Sequence, residues 1–282
     1  MTLAAGAAQA VVDPGAGGRL ASLVVGGRER LVPSPPAGTD NPGFRWGCFL
    51  MAPWAGRIGR AVLTVDGQEV HLPAREGPHA LHGLVADSAW RVQTATATTV
   101  VARCDLDWQL GGTVEQRVTL TPEGLTLAAT VTAGDRRMPA WMGWHPWFAR
   151  PEEGDLAVRL AAGAVLETAP DLLPTGRVTD VDATTDLRDG PALGERRLDH
   201  VYPGVRWPAE VAWPDLRLSI DASPALATAV VHTPPEGACV EPQSAWPDAA
   251  ALAVRGVEGT GLTVLEPGGT LEADTTWTWM LA

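Results

Sequence analysis

Lysine is absent from this sequence, because all 21 basic residues among its 282 are arginines. A chain without lysine can form neither a Schiff-base intermediate nor the lysine contact of a phosphate-binding P-loop. The 33 acidic residues give a formal net charge of −12, and no run of basic residues interrupts this excess. Such a chain is repelled by phosphate backbones and anionic lipids, so we expect neither nucleic acid nor a membrane as a partner.

Cysteine is also scarce, with only Cys48, Cys104 and Cys239 in the whole sequence. Their odd number and wide spacing exclude a CxxC pair and a disulfide framework, which indicates a reducing compartment. The apolar start of the chain lacks a positive region and is interrupted at Asp13-Pro14-Gly15, so it predicts neither a secretion signal nor a membrane anchor. We therefore expect a cytoplasmic protein.

Long stretches of helical periodicity are missing, whereas 31 glycines and 24 prolines separate short β-branched runs along the whole chain. Asp66-Gly67 between two such runs predicts a hairpin, because this pair supplies the positive φ angles of a tight turn. Only the segment from Asp248 to Arg255 has the pattern of a short helix. With no linker or repeat, the sequence predicts an all-β protein, a large antiparallel β-sandwich that forms one domain over residues 1–282.

Aromatic residues are few but strongly biased, since 12 of the 16 are tryptophan. Tryptophan can stack on the apolar C–H face of a sugar while its N–H binds a hydroxyl group, although any single tryptophan more often fills a core. Trp141, Trp144 and Trp147 fall within seven residues. At this density we expect that the three rings are not all buried.

Two ionisable residues stand immediately before proline, His145 before Pro146 and Glu241 before Pro242. A residue before proline is restricted to extended backbone, which aims its side chain in a fixed direction. His145 is therefore a candidate proton donor and Glu241 a candidate general base, with a structural histidine bonded to a carbonyl as the alternative. Glu266 also precedes proline, but the Gly-Gly that follows indicates a simple turn.

Motifs for other chemistries are not found. His79 and His82 are three residues apart, but Pro78 and Gly83 flank them and no cysteine is near, so we predict no metal site. No GxSxG, no GxGxxG before a helix and no cysteine–histidine signature is present, which leaves hydrolytic, dinucleotide-dependent and thiol chemistry unsupported. We expect no cofactor.

Six short segments, in order along the chain, together resemble the aldose 1-epimerase (galactose mutarotase) family. They are Pro53 to Ile58 against P-x-x-N-R-I, His79 to Gly83 against H-x-L-H-G, Gly143 to Phe148 against G-x-H-P-[YF]-F, Leu198 to Tyr202 around an aspartate, Val240 to Gln243 around E-P-Q, and Leu265 to Gly268 against L-x-P-G. The likeness spans about residues 45 to 268.

This resemblance implies the family's antiparallel supersandwich and a cofactor-independent interconversion of the α and β anomers of an aldose such as galactose or glucose. By position, Glu241 is the implied general base and His145 the implied general acid, with Asp199 as a carboxylate that could raise the pKa of the histidine. Arg57, His82 and Asp199 are the implied groups that hold the sugar.

The chain departs from the family pattern at two positions, since Gly56 replaces an asparagine and Trp147 stands where tyrosine is usual. These departures leave the preferred sugar open. The sequence also leaves open whether the protein is a monomer or a homodimer. One alternative is a hexose-6-phosphate epimerase, in which Arg45, Arg60 or Arg150 would bind the phosphate. Another is a sugar-binding protein without catalysis, which the presence of both Glu241 and His145 disfavours.

Overall fold

The computed structural model describes residues 1–35 and 42–282, and strands make up about 52% of the structure against 5% helix. The prediction of an all-β protein is confirmed. In chain order the strands are β1 (Thr2–Ala5), β2 (Ala8–Asp13), β3 (Arg19–Val25), β4 (Arg28–Glu29), β5 (Cys48–Met51), β6 (Arg57–Ile58), β7 (Val62–Val65), β8 (Gln68–His71), β9 (Ala80–Leu81), β10 (Arg91–Ala95), β11 (Thr99–Asp105), β12 (Thr113–Leu120), β13 (Gly124–Thr132), β14 (Met138–Ala140), β15 (Gly143–Pro146), β16 (Phe148–Ala149), β17 (Ala157–Ala161), β18 (Ala164–Thr168), β19 (Pro174–Asp180), β20 (Asp199–Pro203), β21 (Arg206–Trp213), β22 (Leu216–Ala222), β23 (Thr228–His232), β24 (Gly237–Gln243), β25 (Thr263–Leu265) and β26 (Thr270–Leu281). The helix α1 spans Ala249–Val254.

Two large antiparallel sheets dominate the described residues. The first has the order β1-β2-β3-β5-β15-β24-β23-β20, with β4 beside β3 and β16 beside β24. The second has the order β10-β11-β12-β13-β26-β22-β21-β17. Two-stranded ribbons, among them β6–β9, β7–β8 and β18–β19, complete the fold.

The two sheets pack face to face, as their burial patterns and contacts show. Strand β12 alternates in burial, with Val114, Gln116 and Val118 buried between exposed neighbours, which is the pattern of a sheet with one solvent face. The buried side chain of Trp144, on β15 of the first sheet, donates its Nε1–H to Gln116 Oε1 at 3.0 Å. By contrast β5, β15 and β24 are buried at every residue, so the first sheet is covered on both faces at its centre.

Most local predictions are confirmed. The Asp66-Gly67 turn joins β7 to β8, with Val65 opposite Gln68, and α1 lies inside the predicted helical segment. The expectation that the clustered tryptophans are not all buried is wrong: Trp141 and Trp144 are 0% exposed and Trp147 is 5% exposed. Trp144 is enclosed because β15 lies in the middle of a sheet with both faces covered, and Trp141 and Trp147 flank this strand.

No helix in the described ranges is long and apolar enough to cross a lipid bilayer. That residues 1–282 form one domain stays a prediction, which a single cooperative unfolding transition would support, although chains of this size can populate intermediates.

Candidate active site

The register of the first sheet brings together the two ionisable residues that precede proline. Gly143 lies opposite Gln243 in the β15–β24 pair, and Phe148 lies opposite Ala238 in the β16–β24 pair. Both pairs have the same register, which places His145 beside Glu241 on the neighbouring strand. His145 Nε2 is 3.3 Å from Glu241 Oε1, and both side chains are buried.

This pair lies at the floor of a cleft with a volume of about 390 Å³, which is within the size range of small-molecule sites. All five residues singled out in the sequence line the cleft, and they come from five separate parts of the chain. They are Arg57 on β6, His82 after β9, His145 on β15, Asp199 at the start of β20, and Glu241 on β24. The structure thus brings together every predicted site residue.

Aromatic rings fix the imidazole of His145. Phe49 lies opposite His145 in the β5–β15 pair and stacks on it, with ring centroids 4.8 Å apart and 25° between the planes. Trp147 stacks on the same imidazole at 5.6 Å and 5°, and His82 meets it edge-on at 5.0 Å. The ring of His145 is therefore held in one plane, with its Nε2 directed at Glu241.

Burial controls the protonation of this pair. Removal from water raises the pKa of Glu241 well above its ordinary value, and the nearby charge of Asp199 acts in the same direction. Removal from water also lowers the pKa of His145 well below its ordinary value, to which His82 and His232 add. Both shifts favour the neutral forms, so when the pair holds one proton, burial favours its place on the Glu241 carboxyl group over the imidazole.

The expectation that Asp199 raises the pKa of His145 is wrong. Asp199 lies opposite His232 in the β20–β23 pair, and its Oδ1 is 3.9 Å from His232 Nδ1. Asp199 contributes instead to the raised pKa of Glu241. Glu241 is on β24, which lies on the far side of β23 from Asp199.

The opposite wall of the cleft carries Arg57 and His82 on the β6–β9 ribbon and the turn after it. His82 has a positive φ of 55°, and its backbone N–H donates to the carbonyl of Gly56 at 3.0 Å. Arg57 Nη2 is 2.9 Å from Glu76 Oε1. Burial lowers the pKa of His82 to about 3, and the charge of Arg57 adds to the effect, so His82 is neutral and can accept as well as donate a hydrogen bond.

The substitution at Gly56 has a visible packing consequence. Gly56 has a φ of +70°, and a Cβ at this position would lie 2.8 Å from Cγ of Pro247. Both residues line the cleft. A side chain here would have to displace the Pro247 ring, so glycine allows the proline to approach the wall that carries Arg57.

A further histidine that was not predicted from the sequence, His232, also lines the cleft. Its ring meets Trp147 edge-on at 5.9 Å, and its cross-strand neighbours are Asp199 and Cys239. No local motif marks His232. Only the pairing of β23 with β20 and β24 could have revealed it.

Several buried polar atoms of the cleft residues have no hydrogen-bond partner among the described residues. They are His82 Nδ1, His145 Nδ1, Trp147 Nε1, His232 Nδ1 and Gln243 Oε1. Buried polar groups are normally paired, so this concentration points to a ligand rich in donors and acceptors. Gln243 also donates its Nε2–H to Glu241 Oε2 at 3.0 Å, which fixes the carboxyl group.

Metal ligation by the two histidines of the H-x-L-H-G segment is not supported. His79 Nδ1 accepts a hydrogen bond from the backbone N–H of Arg60 at 3.2 Å. Among the described residues, the group of three metal-ligating side chains that lies close together is instead His145, Cys239 and Glu241.

The fold and the cleft define a β-sandwich protein with a buried histidine–glutamate pair in a polar, aromatic-lined cleft of small-molecule size. The chain belongs to the aldose 1-epimerase family, whose sequence profile matches residues 1–278. It is 31% identical over 153 residues to galactose mutarotase of Rattus norvegicus, which is 50% of this chain. That match spans only 45% of the rat protein's length.

Other relatives match over more of the chain. The uncharacterized protein YihR of Escherichia coli K12 is 26% identical over 267 residues, which is 88% of this chain and 85% of YihR. The crystal structure of a galactose mutarotase-like protein from Clostridium acetobutylicum has a TM-score of 0.87 at 18% identity, and the match covers 100% of this chain and 95% of that protein. The crystal structure of galactose 1-epimerase from Lactobacillus acidophilus has a TM-score of 0.80 at 17% identity, and the match covers 100% of this chain and 94% of that protein. At these identities the structures establish the fold.

Proposed function

We propose that this protein is a cofactor-independent aldose 1-epimerase, which interconverts the α and β anomers of a free, neutral aldose. The observation that carries the proposal is the contact of 3.3 Å between His145 Nε2 and Glu241 Oε1 at the floor of a sugar-sized cleft. Membership of the aldose 1-epimerase family supports the same reaction.

Anomer exchange needs one proton removed from the C1 hydroxyl and one delivered to the ring oxygen. Both oxygens are bonded to C1, so an acceptor and a donor a few ångströms apart can reach them together. With the proton of the pair on His145, Glu241 is an anion that takes the hydroxyl proton while the imidazolium protonates the ring oxygen. The bond from C1 to the ring oxygen breaks, C1 becomes an aldehyde carbon, and rotation about C1–C2 allows closure on its other face.

From the ionised pair, burial favours the opening step, and to the same extent it disfavours forming that ionised pair from the neutral one. Ring opening converts an ionised Glu241–His145 pair into a neutral carboxylic acid and a neutral imidazole. These are the forms that desolvation favours, because it raises the pKa of Glu241 and lowers that of His145. A positioned proton transfer of this kind contributes about 10² to 10⁴ in rate. We assign Arg57, His82 and Asp199 to the binding of sugar hydroxyl groups, since all three line the cleft beside the pair.

The charges around the cleft favour a neutral sugar over a 6-phosphate. Of the three arginines considered for phosphate binding, Arg45 lines the cleft, whereas Arg60 and Arg150 do not, and Arg150 is bound to Asp155 at 3.1 Å. Glu76 and Glu236 also line the cleft, and Glu76 is paired with Arg57. An anionic substrate would meet these carboxylates, and among the described lining residues the arginines are Arg45 and the paired Arg57.

Polarimetry on a panel of freshly dissolved sugars tests the proposal. Glucose, galactose, arabinose, xylose and hexose 6-phosphates are followed with and without enzyme that has been treated exhaustively with EDTA. We expect accelerated mutarotation of at least one neutral aldose, at a higher kcat/KM than for any 6-phosphate and with no loss after chelation. No acceleration with any aldose would contradict the proposed reaction, and a preference for a 6-phosphate would contradict the substrate class.

A further inference from the structure

The proposed mechanism does not use the buried thiol of Cys239, which lies beside the cleft. Cys239 stands two residues before Glu241 on β24, so both side chains point to the same face of the sheet. Its cross-strand neighbour on β23 is His232, which lines the cleft. The thiol therefore lies under the cleft floor, beside the proposed acid–base pair.

Cys239 and the pair together present three different metal-ligating atoms. One ligand atom from each of His145, Cys239 and Glu241 lies within 4.8 Å of the other two. The three residues are 5%, 0% and 2% exposed. Zinc binds nitrogen, sulfur and oxygen at about 2.0 to 2.3 Å, so the ligands of one tetrahedral ion are on the order of 3.5 Å apart. Small side-chain rotations would bring the three atoms to that separation.

We propose that His145, Cys239 and Glu241 form a binding site for Zn²⁺ or a similar thiophilic divalent cation. The imidazole supplies a neutral nitrogen, Cys239 a thiolate and Glu241 a carboxylate, so the two anions balance the charge of the cation. Binding releases the thiol proton and the proton that the Glu241–His145 pair holds, both to solvent. The fourth position of a tetrahedral ion faces the cleft, where water completes the coordination.

This donor set distinguishes among metals. Imidazole and thiolate ligands favour zinc, copper and cobalt, whereas magnesium and calcium require oxygen ligands. A site with one thiolate and one imidazole in three ligands therefore excludes the common hard cations of a cell.

The consequence for activity rests on the proposed function. A cation bound to Nε2 of His145 and to the carboxylate of Glu241 uses the lone pairs that proton transfer to and from the sugar requires. The bound metal is therefore an inhibitor that competes with the sugar, and the site couples the activity to thiophilic metals.

Cobalt provides a readout of the site that does not depend on activity. The purified full chain, freed of metal and kept reduced, is titrated with Co²⁺, whose tetrahedral thiolate complexes absorb in the visible and near-ultraviolet ranges. We expect saturable binding of one ion per chain, with a thiolate-to-cobalt charge-transfer band that Zn²⁺ abolishes by displacement and Mg²⁺ does not. Absence of saturable Co²⁺ binding would overturn the proposal.

Two variants assign the ligands. In Cys239→Ser the charge-transfer band should disappear and the affinity for Zn²⁺ should fall at least about tenfold, since even outer-shell changes reach that size. Glu241→Gln should keep the band but weaken binding to a similar extent. The matched control is Cys104→Ser, which removes a buried thiol from β11 of the other sheet and should change nothing. A band that survives Cys239→Ser, in protein with the circular dichroism spectrum of the parent, would overturn the assignment.

Activity measurements separate this proposal from the proposed function. If mutarotation occurs, Zn²⁺ should raise the apparent KM for the sugar, and EDTA should restore the original value. If the metal binds as described but no aldose is converted, the metal site stands and the proposed reaction is wrong. If mutarotation occurs and neither metal binds, the reaction stands and the metal site is wrong.

Discussion

The dipeptide Glu-Pro occurs twice in this chain, and its two copies lie in opposite environments. Glu241-Pro242 is inside β24, at the centre of the first sheet, where the carboxyl group is buried against His145 and Gln243. Glu266-Pro267 leads into a turn between β25 and β26, where the side chain of Glu266 is 70% exposed. Its carboxylate lies 3.0 Å from Arg137 Nε.

The comparison shows that chemical capacity comes from the surroundings of a residue rather than from its local sequence. Burial raises the pKa of Glu241 well above its ordinary value, whereas Glu266 forms a surface ion pair of the kind that contributes little to stability. The predictions below either break the environment of Glu241 or contrast it with that of Glu266.

The largest effect is expected from loss of the proton partner of Glu241. In His145→Asn the kcat for mutarotation should fall by about 10² to 10⁴, because the ring oxygen loses its proton donor. The double variant with Glu241→Gln should be scarcely slower than either single variant, since both groups serve one transition state. Stopped-flow polarimetry measures all three rates, and strictly multiplicative losses would contradict a joint role.

A smaller effect is expected when the strand pairing that joins the two groups is disturbed. A Cβ on Gly143 would lie 2.5 Å from the carbonyl oxygen of Pro242, so Gly143→Ala must push β15 away from β24. We expect kcat/KM to fall at least about tenfold and stability to fall by about 1 to 3 kcal/mol. The control is Gly163→Ala, where no neighbouring heavy atom lies within 4 Å and both quantities should stay near the parent.

The third prediction concerns pH. Because burial lowers the pKa of His145 and raises that of Glu241, the coupled pair titrates in two separate steps, and kcat/KM should be flat between them. Activity falls in acid when the pair takes up a second proton, and in alkali when it loses the first. Asp199 contributes to the raised pKa of Glu241, so Asp199→Asn should move the alkaline limb to lower pH. An alkaline limb that does not move would show that the charge of Asp199 does not act on the pair.

The smallest effect is on thermal stability. When the pKa of a glutamate is higher in the folded state than in the unfolded chain, the protein becomes less stable as the pH rises above the unfolded pKa of about 4.3. Glu241→Gln should therefore melt at least about 2 °C above the parent at pH 7 and at the same temperature near pH 4. Scanning calorimetry at both pH values measures this difference. Glu266→Gln, which changes an exposed carboxylate, should show no such gain, and a lower Tm for Glu241→Gln at pH 7 would contradict the burial argument.

The sequence predicted much of the fold because turn chemistry is local. The Asp66-Gly67 hairpin and the short helix α1 depend on neighbouring residues alone. Strand β5 gave no alternation to detect, because it is buried on both faces. The same property of β15 explains the wrong expectation for Trp144, because the density of tryptophans was taken as a sign of exposure.

For the site, the sequence pointed to those cleft residues that lie in a short motif. His145 and Glu241 were found from their prolines and from the family pattern, and their roles stay predictions until they are tested. His232 has no such signal, since its neighbour Asp199 is 33 positions away and meets it only through the register of β20 and β23. The mutual effect of burial on the two pKa values also lay beyond the sequence, because it depends on how deeply the cleft floor is covered.

The most direct test compares Glu241→Gln with Glu266→Gln on the best neutral aldose, with the initial mutarotation rate measured by polarimetry at saturating sugar. Glutamine keeps the shape and the hydrogen bonding of the side chain but cannot accept the proton. The account predicts that kcat falls by at least about 10² in Glu241→Gln with little change in KM, and stays within a few-fold of the parent in Glu266→Gln. Near-parent activity in Glu241→Gln would contradict the assignment of the base.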